Sequence, residues 1–421
     1  MRRLGVPALI PALLTIPALA LTLPASTAAQ PQAAAGPNPF RDGWSETVVD
    51  ADQNFRGLEA VSRREAWVTG ESLTDDGPAR VFRTTDRGRT WTDVSPDGTE
   101  GLSFRDVEVH GPVAHVLAIG PGEASRIYRS TDGGASWDES FRNTDEKAFY
   151  DCMAFYGKGR HGLAVSDPVD GKLRILATDD GFQDITERSP GDRSWTETFR
   201  NTDEKAFYDC MAFYGKGKHG LAVSDPVDGK LRILATDDHG RTWSVLPDRG
   251  MPRSKDEFGF AASGDCLVTS GRSAFLITGG KKSRVLRSDD RGRTWTAVAS
   301  GIPAGEAAGG FAGAFASPRV GIAVGGDFAE ADDTEDTTAY TRDGRTWTTG
   351  GDLSHVGEDV AFLRGTRYAV ATGDYDGSVG SSITTDGGRT WKRASRKGYH
   401  AIDCVDTVCW AAGSKGRVGH N

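Results

Sequence analysis

The octapeptide TTDRGRTW (84–91) recurs along this chain, and its recurrence limits the fold more than any other feature. Full copies are STDGGASW (130–137), TDDHGRTW (236–243), SDDRGRTW (288–295) and TTDGGRTW (384–391). TRDGRTW (341–347) is one residue short. TDDGF (178–182) has lost the consensus, and its tryptophan arrives late in DRSW (192–195). The tryptophans stand at 91, 137, 195, 243, 295, 347 and 391, with spacings of 44 to 58 residues.

Short alternating stretches surround each copy. RVFRTTD (80–86), RIYRSTD (126–132) and RVLRSDD (284–290) run into the box, and AWVTG (66–70), HVLAIG (115–120) and GLAVSD (162–167) precede them. Earlier still lie FRGLEAV (55–61), FRDVEVH (104–110) and FYDCMAF (149–155), while TWTDVS (90–95) exemplifies the segment that follows a box. Four short strands per unit, at a period near fifty, predict an all-β chain folded as a single propeller of four-stranded blades. The 54 glycines suit such a turn-rich chain.

Within the box each residue type has a physical task. Glycine tolerates the positive φ of a tight turn. The carboxylates of Asp86, Asp132, Asp238, Asp290, Asp343 and Asp386 can accept backbone N–H groups within it. Trp91, Trp137, Trp243, Trp295, Trp347 and Trp391 then serve as wedges between blades. The reading is structural rather than catalytic.

These residues resemble the Asp-box (bacterial neuraminidase repeat) β-propellers, whose Ser/Thr-x-Asp-x-Gly-x-Thr/Ser-Trp pattern the five full boxes match. The resemblance spans residues 43–421 and extends to secreted proteins similar to photosystem II stability/assembly factors. It implies fold strongly and activity weakly. Some such relatives carry oxidoreductase or sialidase labels.

Ring closure and blade number also follow. Thirty residues remain after Trp391, with strands HAIDCV (400–405) and CWAAGS (409–414) but no further box strand. GWSETVVD (43–50) supplies the missing piece, with Trp44 in the place of Trp91, so an N-terminal strand closes the ring. Residues 141–180 recur at 199–238 with one change, Arg160 for Lys218. The chain is therefore expected to have eight blades, seven plus one duplicated, with a strained or extruded third blade as an alternative.

Residues 1–29 read as an export signal: Arg2 and Arg3, an apolar stretch broken by Pro7, Pro11 and Pro17, then small residues before Gln30. Residues 30–42 read as a flexible linker. No later segment is apolar enough to span a bilayer, so the mature chain is expected outside the cell. Without Arg2 and Arg3 it has 48 basic against 59 acidic residues. That sign opposes nucleic-acid partners. Five cysteines suit an oxidising compartment. Cys404 and Cys409 flank a short loop and form one candidate pair. Cys266 forms another with Cys210 or with its duplicate Cys152, Cys210 being nearer along the chain.

Several motifs mislead. GKGRHG (157–162) and GKGKHG (215–220) match a dinucleotide fingerprint, but a strand rather than a helix follows each. No cofactor is therefore expected, and an oxidoreductase label has no site. DDTED (332–336) and GDYDGS (373–378) lack calcium-loop spacing, so no metal is assigned.

Propeller geometry gathers the starts of the innermost strands around one channel mouth. Arg56, Arg105, Asp106, Tyr150, Asp151, Tyr208, Asp209, Glu358, Asp359 and His400 are the candidates for this face. A protein- or glycan-binding role uses them as anchors. The alternative is a sialidase-like glycoside hydrolase using the mouth carboxylates, although the Phe/Tyr-Arg-Ile-Pro signature implied by that resemblance is absent.

Overall fold

The computed structural model describes residues 39–40, 43–157, 159–167, 169–170, 172–179, 195–202, 206–260 and 265–421. The export signal, most of the linker and the degenerate box segment 180–194 lie outside the described residues. What is described is built from strands, with two short 3₁₀ turns and no α-helix.

The first meander runs through Gln53–Ala60, Ala66–Ser72, Arg80–Thr84 and Thr92–Asp93, each strand antiparallel to the one before. The same order recurs in meanders whose innermost strands are Ser103–His110, Tyr150–Tyr156, Tyr208–Tyr214, Leu267–Ser270, Ala308–Ser317, Asp359–Phe362 and Ala401–Val405. The last takes its fourth strand from the other end of the sequence: Ser45–Val48 pairs with Arg417–His420. Both duplicate hairpins, Tyr156 opposite His161 and Tyr214 opposite His219, join two strands.

The core lies between meanders. Phe55, Val68 and Phe82 of the first pack on Val408, Trp410 and Val418 of the last, and Trp67 and Val81 on its other side pack on Phe104 and Val116 of the second. Every repeat tryptophan enters the cluster that its meander shares with the preceding one. Trp91 meets Trp410 edge-on at 6.0 Å, and Trp195 meets Phe155 at 6.0 Å. Trp44 does the same for the closing meander, against Tyr399 at 6.1 Å. A twisted sheet leaves a tapering gap beside its neighbour, and a large flat ring on the outer strand fills it.

The box turn carries its own hydrogen-bond set. Thr84 Oγ1 donates to Asp86 Oδ1 (3.0 Å) and accepts the Gly88 N–H (2.9 Å). Asp86 also accepts the Thr90 N–H (2.9 Å) and hydroxyl (2.7 Å). The backbone N–H of Thr90 is the largest cause of an Asp86 carboxyl held down at about 2. The turn requires two successive left-handed residues, and in three copies only the second is glycine: Arg87 (φ 68°), His239 (68°) and Arg291 (60°) precede Gly88, Gly240 and Gly292. The local bonds of aspartate and hydroxyl offset the cost of that conformation at a residue with a Cβ.

Two disulfides join Cys210 to Cys266 and Cys404 to Cys409, and Cys152 belongs to neither. The first couples the fourth and fifth meanders. The second pins a hairpin in which its two cysteines face each other.

Candidate functional site

A bulge shapes the channel mouth. In the first four meanders the innermost strand slips register once, leaving Arg56, Arg105, Asp151 and Asp209 as the extra residue, and in the sixth it slips twice, first at Phe311. Such a bulge re-aims side chains that strict alternation would separate. In the first three meanders the residue before it turns to the sheet interface and the residues at and just after it line the channel.

A cavity of about 620 Å³ results, and Arg56, Arg105, Asp106, Asp151, Asp359 and His400 line it. Tyr150 and Tyr208 do not. They lie before the bulge, are 3% and 4% exposed, and pack between meanders, Tyr150 edge-on to Phe141 at 5.2 Å. The side chain of Asp209 is outside the description. Glu358 stands behind the wall and accepts the Asp374 N–H (2.6 Å) and His400 Nδ1–H (3.3 Å), while Ser414 meets His400 Nε2 at 2.9 Å.

Four further carboxyl groups line the cavity: Glu59, Glu108, Asp265 and Asp403. The alternation of Glu59 and Glu108 along FRGLEA and FRDVEV was visible in the sequence, but the depth of the channel was not. Burial pushes Glu59 up to about 8, with Asp403 and Asp106 adding repulsion. Burial likewise raises Asp106 and Asp265 to about 6 each and, with Asp167 as a secondary cause, Asp151 to about 7. Asp359 is raised further, first by burial and then by Asp265, with which it shares a hydrogen bond.

Most of these groups already have a task. Asp403 accepts the Ala60 N–H (2.9 Å) and Asp359 accepts the Ile402 N–H (2.9 Å). Asp106 and Glu108 accept backbone N–H bonds from Met153 and Phe155. In each case the donor lies on the innermost strand of the next meander. An innermost strand has a bare edge, and a carboxylate from its neighbour satisfies it where no sheet can. Asp403→Ala is accordingly expected to cost about 1–3 kcal/mol, because Ala60 keeps a buried N–H without an acceptor. Asp403→Asn, which retains an oxygen, should recover most of it. A urea midpoint unchanged in the alanine variant would refute this role.

Arg56 is the exception. Its guanidinium makes no hydrogen bond or ion pair among the described residues, and burial first, then the nearby Arg105, lower its pKa. The mouth therefore presents an uncommitted cation above a floor of committed acids.

No family model and no curated protein matches this chain. Solved structures do. "YCF48 bound to D1 peptide" aligns at 14% identity over 90% of this chain and 94% of that one, TM-score 0.50. The computationally designed Ika8 protein aligns at 13% identity over 89% and 98%, TM-score 0.57. Sqt1 from Chaetomium thermophilum bound to the N-terminus of the ribosomal protein L10 aligns at 14% identity over 88% and 96%, TM-score 0.59. At such identity these likenesses speak for architecture alone, and the architecture is a β-propeller.

Proposed function

We propose that this chain is a secreted, eight-bladed Asp-box propeller that binds a polypeptide at its channel mouth. The observation that carries the reading is Arg56: a half-buried guanidinium with no hydrogen bond or ion pair among the described residues, beside Arg105 and over a 620 Å³ cavity. Leaving such a group desolvated has a cost that a bound anionic or carbonyl-rich segment would offset. Two disulfides agree with an oxidising compartment. Two propellers of similar architecture have been solved with bound polypeptides, a D1 peptide and the L10 N-terminus.

Peptide-library display against immobilised protein tests this. Wild type should enrich a peptide family, and Arg56→Ala with Arg105→Ala should reduce its capture roughly tenfold while thermal unfolding stays put. Equal capture by both proteins would remove the mouth from the reading. Reducing ends released from polysaccharides or sialosides, and lost on Asp151→Asn, would replace it with hydrolysis.

A further inference from the structure

Resting on the reading of this face as a polypeptide-docking surface, we propose that an aromatic ridge across the fifth, sixth and seventh meanders takes a segment carrying Arg or Lys around an apolar anchor. The ridge is continuous. Ring centroids lie 5.1 Å apart from Phe258 to Phe260, 4.6 Å from Phe260 to Phe311, 4.2 Å from Phe311 to Phe328 and 4.6 Å from Phe328 to Tyr375. Phe311 sits at the bulge position that carries arginine in the first two meanders. The mouth thus changes character around the ring, from charged to aromatic.

Only Phe311 is buried. Phe258, Phe260 and Phe328 are half-buried, and Tyr375 is 37% exposed. Four neighbouring rings partly in water exceed what packing one sheet edge requires, and contiguous apolar surface of this kind marks interaction sites. The ridge shares the face of the cavity. Tyr375 directly follows Asp374, whose N–H bonds to Glu358, the same carboxylate that holds His400 on the cavity wall.

Charge selects the occupant. The loop after Phe328 exposes Glu330, Asp332, Asp333, Glu335 and Asp336, and none has an ion-pair partner among the described residues. Asp376 is exposed at the hairpin tip beside Tyr375. At the opposite end Lys281 is already paired with Asp256 at 3.2 Å. A neutral glycan could place hydroxyls on the acidic rim but would form no ion pair there. A basic segment gains ion pairs there and a cation–π contact on Tyr375, and its apolar residue gains the ridge.

Fluorescence anisotropy with a labelled octapeptide alternating arginine and leucine tests the proposal on the purified chain. Saturable binding is expected, weakening as salt rises. Asp332→Asn/Asp333→Asn/Glu335→Gln should weaken it roughly tenfold and Tyr375→Ala roughly fivefold, with thermal unfolding unchanged because these side chains are on the surface. Arg56→Ala/Arg105→Ala should leave it unaltered. Absence of binding, equal binding of the glutamate–leucine counterpart, or indifference to both ridge variants would overturn it. So would a preference for a neutral oligosaccharide. Loss only in the Arg56/Arg105 variant would overturn the ridge and leave the mouth reading standing, whereas failed library capture at the mouth with ridge binding intact would do the reverse.

Discussion

Replacing Cys210 and Cys266 together by serine is expected to lower the unfolding free energy by about 4 kcal/mol, and replacing Cys404 and Cys409 by about half as much. The cysteines of the first pair are 56 positions apart and those of the second only five, so the first closes far more chain in the unfolded state. The first pair is also buried, at 2% and 0% exposure, with Cys210 on one innermost strand and Cys266 just before the next. Denaturant titration of the two double variants measures the difference. Equal losses, or a loss below about 1 kcal/mol for the first, would show that native packing rather than loop closure decides the effect. Cys152 should react with a thiol reagent in the folded protein, since it lines the cavity and belongs to neither disulfide.

Thermal stability should peak near pH 4–5 and fall toward both sides. The channel carboxyls have folded pKa values above their ordinary ones: Glu59 about 8, Asp151 about 7, Asp106 and Asp265 about 6. The folded chain therefore binds more protons than the unfolded one. The stability this contributes is complete below pH ~4 and is lost as pH rises through 6 to 8. The box aspartates act in the opposite direction. Asp86 and Asp132 are held at about 2 by turn hydrogen bonds, led for Asp132 by the Ser136 hydroxyl, so their contribution is present above pH ~4 and lost on acidification. A melting temperature roughly 5 °C or more higher at pH 5 than at pH 8 is expected. Glu59→Gln with Asp151→Asn should flatten the alkaline side and leave the acid side alone. A profile flat from pH 5 to 8 would remove the channel carboxyls as its cause.

Arg56 and Asp106 illustrate how far the candidate site was legible. Both stand at innermost-strand starts, a placement that follows from counting strands back from a box. Tyr150 and Asp151 are adjacent and equally polar at one end, yet one enters a core and the other the channel. The bulge that separates them depends on pairing with the second strand, which no local composition announces. Glu59, Glu108, Asp265 and Asp403 were missed for a related reason. A carboxylate in an alternating strand reads as solvent-facing, and only closure of the ring turns that face into a buried channel.

Strand period, the box turn and its tryptophan wedge are local matters, set by residues within a few positions of one another, so TTDRGRTW and its copies were sufficient to establish them. The register of the expected closing strand Ser45–Val48 on Arg417–His420, the choice of Cys210 over its duplicate Cys152, and the carboxylate bonds from each innermost strand to the next were decided by tertiary structure. They join residues up to hundreds of positions apart, and near-identical segments cannot be told apart by their own chemistry. Only their different neighbours in the ring distinguish them.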